Sequence, residues 1–281
     1  MRYLGKVYKH YYDIGNIMNE RYIASLFEEE LPAIIKEIAM AHNIPEYAEN
    51  PDFLDKRLIR WHQFGLLEHT RRVRKSFLKE LPQILKSWSV DRKITVLLSE
   101  RIGGIKKQHL LEMSIPFHDL GKIICLHDLQ ENRKHEFLSA AIVDFLSPRL
   151  KSAGLEDKGI AYIRRCVETH DIVGKEVRDK LTGGGHSSLE YLSGEGAGDI
   201  CRTLPARYED IKLEAGIYFI CDTLGKVGMR IKAETDSEIS KGEKQVIEYL
   251  AKNHLPEDLK LGIMQLPINL KVAELYMRNY L

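Results

Sequence analysis

Apolar residues recur at intervals of three and four along most of the chain. On a helix this spacing lines the apolar side chains along one face, which predicts amphipathic helices packed against a core. Alternation of apolar and polar residues, the pattern of a half-buried strand, is nearly absent. We therefore predict an all-α fold. The segments that carry the helical pattern are RYIASLFEEELPAIIKEIAMAH, HTRRVRKSFLKELPQIL, EFLSAAIVDFLSPRL, GIAYIRRCVETHDIVG, KLEAGIYFICDTLGKVGMRI and QVIEYLAKN.

Two segments interrupt the helical pattern. The shorter one, PEYAENP, occupies residues 45–51. The longer one runs from Leu181 to Pro205 and is rich in glycine and serine, which predicts a loop. A loop of that length inside a compact domain is often functional, and a solvated excursion is the alternative. We divide the chain into an N-terminal helical extension (1–60), a core (61–232) that contains the loop, and a C-terminal helical extension (233–281).

Composition and charge narrow the class of protein. The chain has 281 residues, of which 44% are hydrophobic, enough for a sizeable core. Its 42 basic and 41 acidic residues nearly cancel, so net charge gives no general attraction for nucleic acid or membrane. No apolar run approaches a membrane span, and the N-terminus lacks the apolar part of a signal peptide. The four cysteines form no Cys-x-x-Cys pair, so we expect a reducing, cytoplasmic location.

The dipeptide His-Asp, whose side chains can bind metal or carry protons, occurs three times. The first copy (118–119) follows the apolar run MSIPF and is expected to point into the core. The second copy (127–128) stands before a strongly polar segment and is expected in a surface turn. In the third copy (170–171) the histidine continues an apolar helix face, whereas the aspartate points about 100° away from it.

Histidine and aspartate side chains point towards the core from five predicted helices. His69, for example, shares a helix face with Val73 and Phe77. A single histidine on an apolar face is most often a hydrogen-bonded core residue, but several buried imidazoles and carboxylates are costly without a common partner. One or two divalent cations would satisfy them all, and mixed nitrogen and oxygen ligands favour Mn, Fe, Ni, Co or Zn over Ca. The candidate ligands are His69, His118, Asp119, His135, His170 and Asp222.

The order and spacing of these residues resemble the HD superfamily of metal-dependent phosphohydrolases. The resemblance covers roughly Trp61 to Arg230, and the ordered set is much more specific than a lone His-Asp pair. It implies an HD-domain helical bundle, with the two extensions as extra flanking helices. The matching segments are LLEHTRRV, IPFHDLGK, KHEFLSAAIV, VETHDIVG and ICDTLGKV.

The resemblance also implies a centre of two divalent transition-metal ions. A hydroxide that bridges the ions would attack a phosphoester. The substrate would be a nucleotide, a cyclic nucleotide or nucleic acid, including single-stranded nucleic acid, so the expected activity is that of a phosphodiesterase or nuclease. By analogy, the ligands of one ion are His69, His118, Asp119 and Asp222, and those of the other are Asp119, which bridges, His135 and His170.

Four further residues complete the predicted site. Lys122, three positions after the bridging aspartate, is expected to hold a phosphate oxygen, and the alternative is an exposed lysine at a helix end. Arg72 is a weaker candidate for the same role, because a solvated helix face explains it better. His62 is expected either to act as a base or leaving-group acid, or only to line the entrance. His186 lies in the Gly/Ser-rich loop, which we expect to be a mobile lid that contacts substrate.

Two other functions stay open at this point. A few members of the superfamily use the same ligand set to activate oxygen with a pair of iron ions, and oxygen uptake would distinguish such an oxygenase. The other alternative is a signalling domain that keeps the fold without turnover, although its ligand set is intact. The sequence predicts neither the identity of the metal nor the oligomeric state.

Overall fold

The all-α fold is confirmed by a computed structural model, which describes residues 21–54, 64–125, 134–184, 199–202, 204–227 and 257–281. Two π-helical turns, Leu26–Glu30 and Ser76–Glu80, and two 3₁₀ turns, Ile115–Phe117 and Ala206–Ile211, accompany the α-helices. The α-helices with assigned bounds are α1 Leu31–Ala41, α2 Pro45–Glu49, α3 Leu66–Lys75, α4 Leu81–Ser87, α5 Asp91–Ser99, α6 Lys107–Ser114, α7 Gly121–Ile124, α8 His135–Ser152, α9 Asp157–Thr169, α10 Ile172–Gly184, α11 Lys212–Val227 and α12 Glu257–Tyr280.

Two prolines occur at the same structural position in different helices. Pro32 and Pro82 are the second residues of α1 and α4, and each helix directly follows a π-helical turn. A proline cannot donate to the helical hydrogen-bond ladder, and its ring clashes with the carbonyl group four residues earlier. The wider π-helical turn accommodates this mismatch, so helical backbone continues through both Leu-Pro pairs.

A small hairpin interrupts the helices between α5 and α6. Strands β1 (Arg101–Ile102) and β2 (Ile105–Lys106) pair antiparallel. Gly103 and Gly104 join them with φ angles of 55° and 77°, in the left-handed region that glycine adopts without strain. The sequence analysis did not predict this hairpin, because two residues per strand are too few to show an alternating pattern.

Helix α11 lies at the centre of the bundle and is buried along almost all of its described length. It packs against α3, α10 and α12. A Cβ atom at Gly225 would lie 2.6 Å from Cγ2 of Val73, so the missing side chain allows α3 and α11 to approach closely. This contact places His69 on α3 beside Asp222 on α11.

A second close approach joins α7 to the start of α8. A Cβ atom at Gly121 would lie 2.1 Å from the carbonyl oxygen of His135, a distance that excludes any side chain. The N–H of Gly121 also donates to Oγ of Ser139 at 2.8 Å. Because Asp119 is two residues before this glycine, the contact brings its carboxylate beside the His135 ring.

The described parts of both extensions pack on the core. Helix α1 packs against α7, and Glu37 on α1 forms an ion pair with Arg149 on α8 at 3.1 Å. Helix α12 packs against α11, where the hydroxyl of Tyr276 donates to the carbonyl oxygen of Lys212 at 2.8 Å. A search of the described helices finds none with the length and hydropathy needed to cross a membrane.

The structure changes the bounds of both predicted interruptions. Residues 45–51 include the short helix α2. A loop was predicted from Leu181, but α10 continues through the first glycines to Gly184, and residues 185–198 lie outside the described residues. Residues 199–202, also assigned to the loop, are helical. At Gly183 and Gly184, helical hydrogen bonding overrides the weak helix propensity of glycine.

Candidate metal centre

Six side chains from five parts of the chain meet in the interior of the bundle. All six are buried, and their ligand atoms form two groups that could each hold a metal ion. The side chains are His69 on α3, His118 and Asp119 after the Ile115–Phe117 turn, His135 at the start of α8, His170 directly after α9, and Asp222 on α11. These are the six ligands that the sequence analysis proposed.

The first group contains four residues. Nε2 of His69 lies 3.3 Å from Nε2 of His118, 3.3 Å from Oδ2 of Asp119 and 3.1 Å from Oδ1 of Asp222. Nε2 of His118 lies 3.3 Å from Oδ2 of Asp119 and 4.0 Å from Oδ1 of Asp222. Ligand atoms bound tetrahedrally to a zinc-sized ion stand about 3.3 Å apart. The first group therefore has the donor atoms and the spacing for one transition-metal ion.

The second group contains three residues. Nε2 of His135 lies 3.2 Å from Nε2 of His170. These two nitrogens lie 3.3 Å and 3.5 Å from Oδ1 of Asp119. Two imidazoles and one carboxylate leave coordination positions for water or substrate, as catalytic metal sites do.

Asp119 belongs to both groups and contributes one oxygen to each. Its Oδ2 faces His69 and His118, whereas its Oδ1 faces His135 and His170. A carboxylate with its oxygens divided in this way has the geometry to bridge two ions. Of the described residues, Asp119 alone is shared by the two groups.

Backbone carbonyl groups orient one imidazole in each group. Nδ1 of His118 lies 2.6 Å from the carbonyl oxygen of Ile115, and Nδ1 of His170 lies 2.7 Å from that of Val167. A carbonyl oxygen can only accept, so in each ring Nδ1 carries the proton. In the neutral form of each ring, which metal binding requires, Nε2 keeps its lone pair and directs it into the centre.

Two lysines neutralise the buried carboxylates. Nζ of Lys122 donates to Oδ2 of Asp119 at 2.6 Å, and Nζ of Lys226 donates to Oδ2 of Asp222. Burial by itself would raise the pKa of Asp119, but His118 and Lys122 hold that pKa well below its usual value. Burial acts in the same way on Asp222, whose pKa Lys226 and His69 bring well below the usual value. Both carboxylates are therefore ionised at neutral pH, the form that binds a cation.

No protein-family model, curated protein or solved structure matches this chain. A function can therefore be inferred from the six candidate ligands, from their geometry, and from their order along the chain.

The sequence analysis missed two residues that touch the centre. The ring of Tyr218 lies 6.0 Å from that of His118 and 5.9 Å from that of His170, so it packs against one imidazole of each group. Its hydroxyl is 2.6 Å from Oγ of Ser114. The other residue is Lys226. Tyr218 and Lys226 lie four positions before and after Asp222, and this helical spacing is the signal that could have identified them.

Three other residues considered in the sequence analysis lie near the ligands along the chain, and the structure shows the surroundings of each. The side chain of Lys122 is only 4% exposed, so the alternative of a surface lysine is wrong. Arg72 pairs with Glu68 at 2.9 Å, and its guanidinium lies 3.6 Å from the ring centre of Phe64. Asp171, which follows His170 in a turn after α9, belongs to neither ligand group.

Three of the predictions fall on residues that the structure does not describe. His62 and His186 lie outside the described residues, so their roles as acid, base or substrate contact stay predictions. The second His-Asp copy, which begins at His127, also lies outside them.

Proposed function

We propose that this protein is a metal-dependent phosphohydrolase of the dinuclear HD type, which cleaves a phosphoester in a nucleotide, a cyclic nucleotide or nucleic acid. The main support for the proposal is the position of Asp119, whose two oxygens face separate pairs of imidazole nitrogens at 3.3–3.5 Å. Paired metal sites are typical of phosphatases and nucleases. The order of the ligands along the chain, which resembles that of the HD superfamily, supports the same class.

The donor set favours two divalent transition-metal ions, drawn from Mn, Fe, Ni, Co and Zn. Four imidazole nitrogens together with the oxygens of two carboxylates suit these metals, whereas calcium prefers oxygen ligands alone. When bound, such ions polarise phosphoryl oxygens and make water a nucleophile at neutral pH. The first ion is assigned to His69, His118, Asp119 and Asp222, and the second to Asp119, His135 and His170.

Contacts within the protein orient the side chains of the centre before a metal ion or substrate binds. The carbonyl groups of Ile115 and Val167 fix the rings of His118 and His170, so little reorganisation is needed on binding. Lys122 keeps the bridging Asp119 ionised and oriented in the interior. Because the centre is buried, charges within it act through a medium of low dielectric constant, which strengthens their effect on a developing negative charge.

An activity screen with matched variants tests the proposal. Protein loaded with Mn²⁺ should cleave at least one member of a panel of phosphomonoesters, cyclic nucleotides, single-stranded DNA and single-stranded RNA. Asp119→Ala should abolish cleavage, because it removes the ligand common to both groups. His42→Ala is the control, since this half-buried histidine follows α1 and belongs to neither group. A metal-loaded wild type that cleaves nothing on the panel, or an Asp119→Ala variant that cleaves as well as wild type, contradicts the proposal.

A further inference from the structure

The two lysines at the centre occupy different positions relative to solvent. Lys122 donates to Oδ2 of Asp119, and its side chain is 4% exposed. Lys226 donates to Oδ2 of Asp222, on the last turn of α11, and its side chain is 25% exposed. One ammonium group is therefore enclosed with the bridging carboxylate, and the other lies at the edge of the first ligand group.

Solvent reaches the first group from the side of Asp222. The side chains of His69, His118 and Asp119 are at most 1% exposed. That of Asp222 is 10% exposed, and exposure increases again at Lys226, one turn further along the same helix. A substrate that approaches the first group from this side meets the ammonium group of Lys226 next to the metal ligand.

The division of the Asp222 oxygens shows how Lys226 and a metal ion would share this carboxylate. Oδ1 faces Nε2 of His69 at 3.1 Å, whereas Oδ2 accepts from Lys226. A cation bound through Oδ1 would take up most of the carboxylate charge and would repel the nearby ammonium group. The oxygens of a phosphoryl group can contact the ammonium group and the cation at the same time, and they would offset this repulsion.

Lys122 and Arg72, the two cations proposed for this role from the sequence, are less suited to this contact. Lys122 would have to leave the bridging Asp119, which is the ligand that both groups require. Arg72 is already paired with Glu68 at 2.9 Å and lies against the Phe64 ring.

We propose that Lys226 binds a phosphoryl oxygen of the substrate, the role that the sequence analysis gave to Lys122. The inference rests on the proposed function, because it assumes a metal ion at the first ligand group. The two lysines then have different roles: Lys122 holds the bridging carboxylate in place, and Lys226 contacts the phosphoester.

Binding of inorganic phosphate to the metal-loaded protein tests this assignment without any need for turnover. Calorimetry on protein loaded with Mn²⁺ should show phosphate affinity at least tenfold lower in Lys226→Met than in wild type, with the metal content unchanged. Lys226→Arg, which keeps the charge, should stay within about threefold of wild type. The control is Lys93→Met, at an exposed position on α5, which should bind phosphate as wild type does.

The other outcomes overturn the inference in distinguishable ways. If Lys226→Met binds phosphate as tightly as wild type, Lys226 does not contact the phosphoryl group. If Lys226→Met instead loses a metal ion, the lysine only orients Asp222. A wild-type protein that takes up no metal would overturn the proposed function itself, and this inference with it.

Discussion

Metal binding should stabilise the protein in two separable steps, one for each ligand group. An ion that binds only the folded chain stabilises it by about 2.7 kcal/mol when its concentration is 100 times its dissociation constant. Two independent groups should therefore give about 5.4 kcal/mol under that condition. Removing one group should remove about half of this stabilisation, and removing their shared ligand, which weakens both groups, should remove more than half of it.

The stabilisation converts into a shift that thermal unfolding can resolve. Unfolding entropy of about 2.1 cal/mol/K per residue gives about 0.6 kcal/mol/K for a chain of 281 residues. Each occupied group should then raise the unfolding temperature by about 5 °C, and both together by about 9 °C. His135→Ala leaves the second group with only Asp119 and His170, so its shift should fall to about 5 °C. Asp119→Ala weakens both groups but leaves His69, His118 and Asp222 in the first, so its shift should be the smallest, below half of the wild-type value.

The assay compares each variant with itself, metal-free and metal-loaded. Comparing the two forms removes the effect of the substitution on the stability of the metal-free protein, which would otherwise be confused with lost metal binding. Mn²⁺ is the suitable probe, because softer metals also bind thiols of the unfolded chain, which has four cysteines. His127→Ala, in the second His-Asp copy, should keep the full shift, since that copy is predicted to lie in a surface turn.

Two results would refute this reasoning. A full shift in His135→Ala would mean that the second group does not bind metal. A shift in Asp119→Ala of more than half the wild-type value would mean that the carboxylate does not bridge two ions. Measuring the metal content of each sample in parallel separates weak binding from binding without stabilisation.

Two further predictions concern helix packing and the loop. Gly225→Ala should destabilise the protein by about 1–3 kcal/mol, because its Cβ atom would lie 2.6 Å from Cγ2 of Val73. The control is Gly159→Ala, whose Cβ atom would lie 3.4 Å from Cδ2 of Leu110, an ordinary packing distance. Chemical unfolding should show no loss of stability in this control. Equal stability of the two variants would contradict the packing argument. Replacing residues 185–197 with a short Gly-Ser linker should change KM or substrate preference at full metal content, whereas unchanged kinetics on every substrate would exclude a lid.

The ligands could be proposed from sequence because each one has a local signal. Helical spacing shows which way a histidine points when apolar residues share its face, as Val73 does with His69. The order of the ligands along the chain then adds information that no single motif contains. The sequence does not show that the ligands form two groups, because this division depends on the distances between their ligand atoms, which only the structure gives.

The burial and the roles of the two lysines could not be predicted from local signals in the same way. Lys122 lies in a short helix whose neighbours do not show which side is buried, so an exposed position stayed open as the alternative to a phosphate contact. Its burial depends on α8, which packs over α7 at Gly121. Lys226 lies in the apolar segment of α11, but nothing in that segment indicates that solvent reaches the centre on the side of Asp222.

Two close helix contacts, each dependent on a glycine, build the two halves of the centre. Gly225 allows α3 to reach α11, and that contact joins His69 to Asp222 in the first group. Gly121 allows α7 to reach α8, and that contact joins Asp119 to His135 in the second group. Asp119 is the residue through which both halves connect. A small shift of α3 should therefore weaken the first group and leave the second able to bind metal, so Gly225→Ala should retain about one ion per chain rather than none.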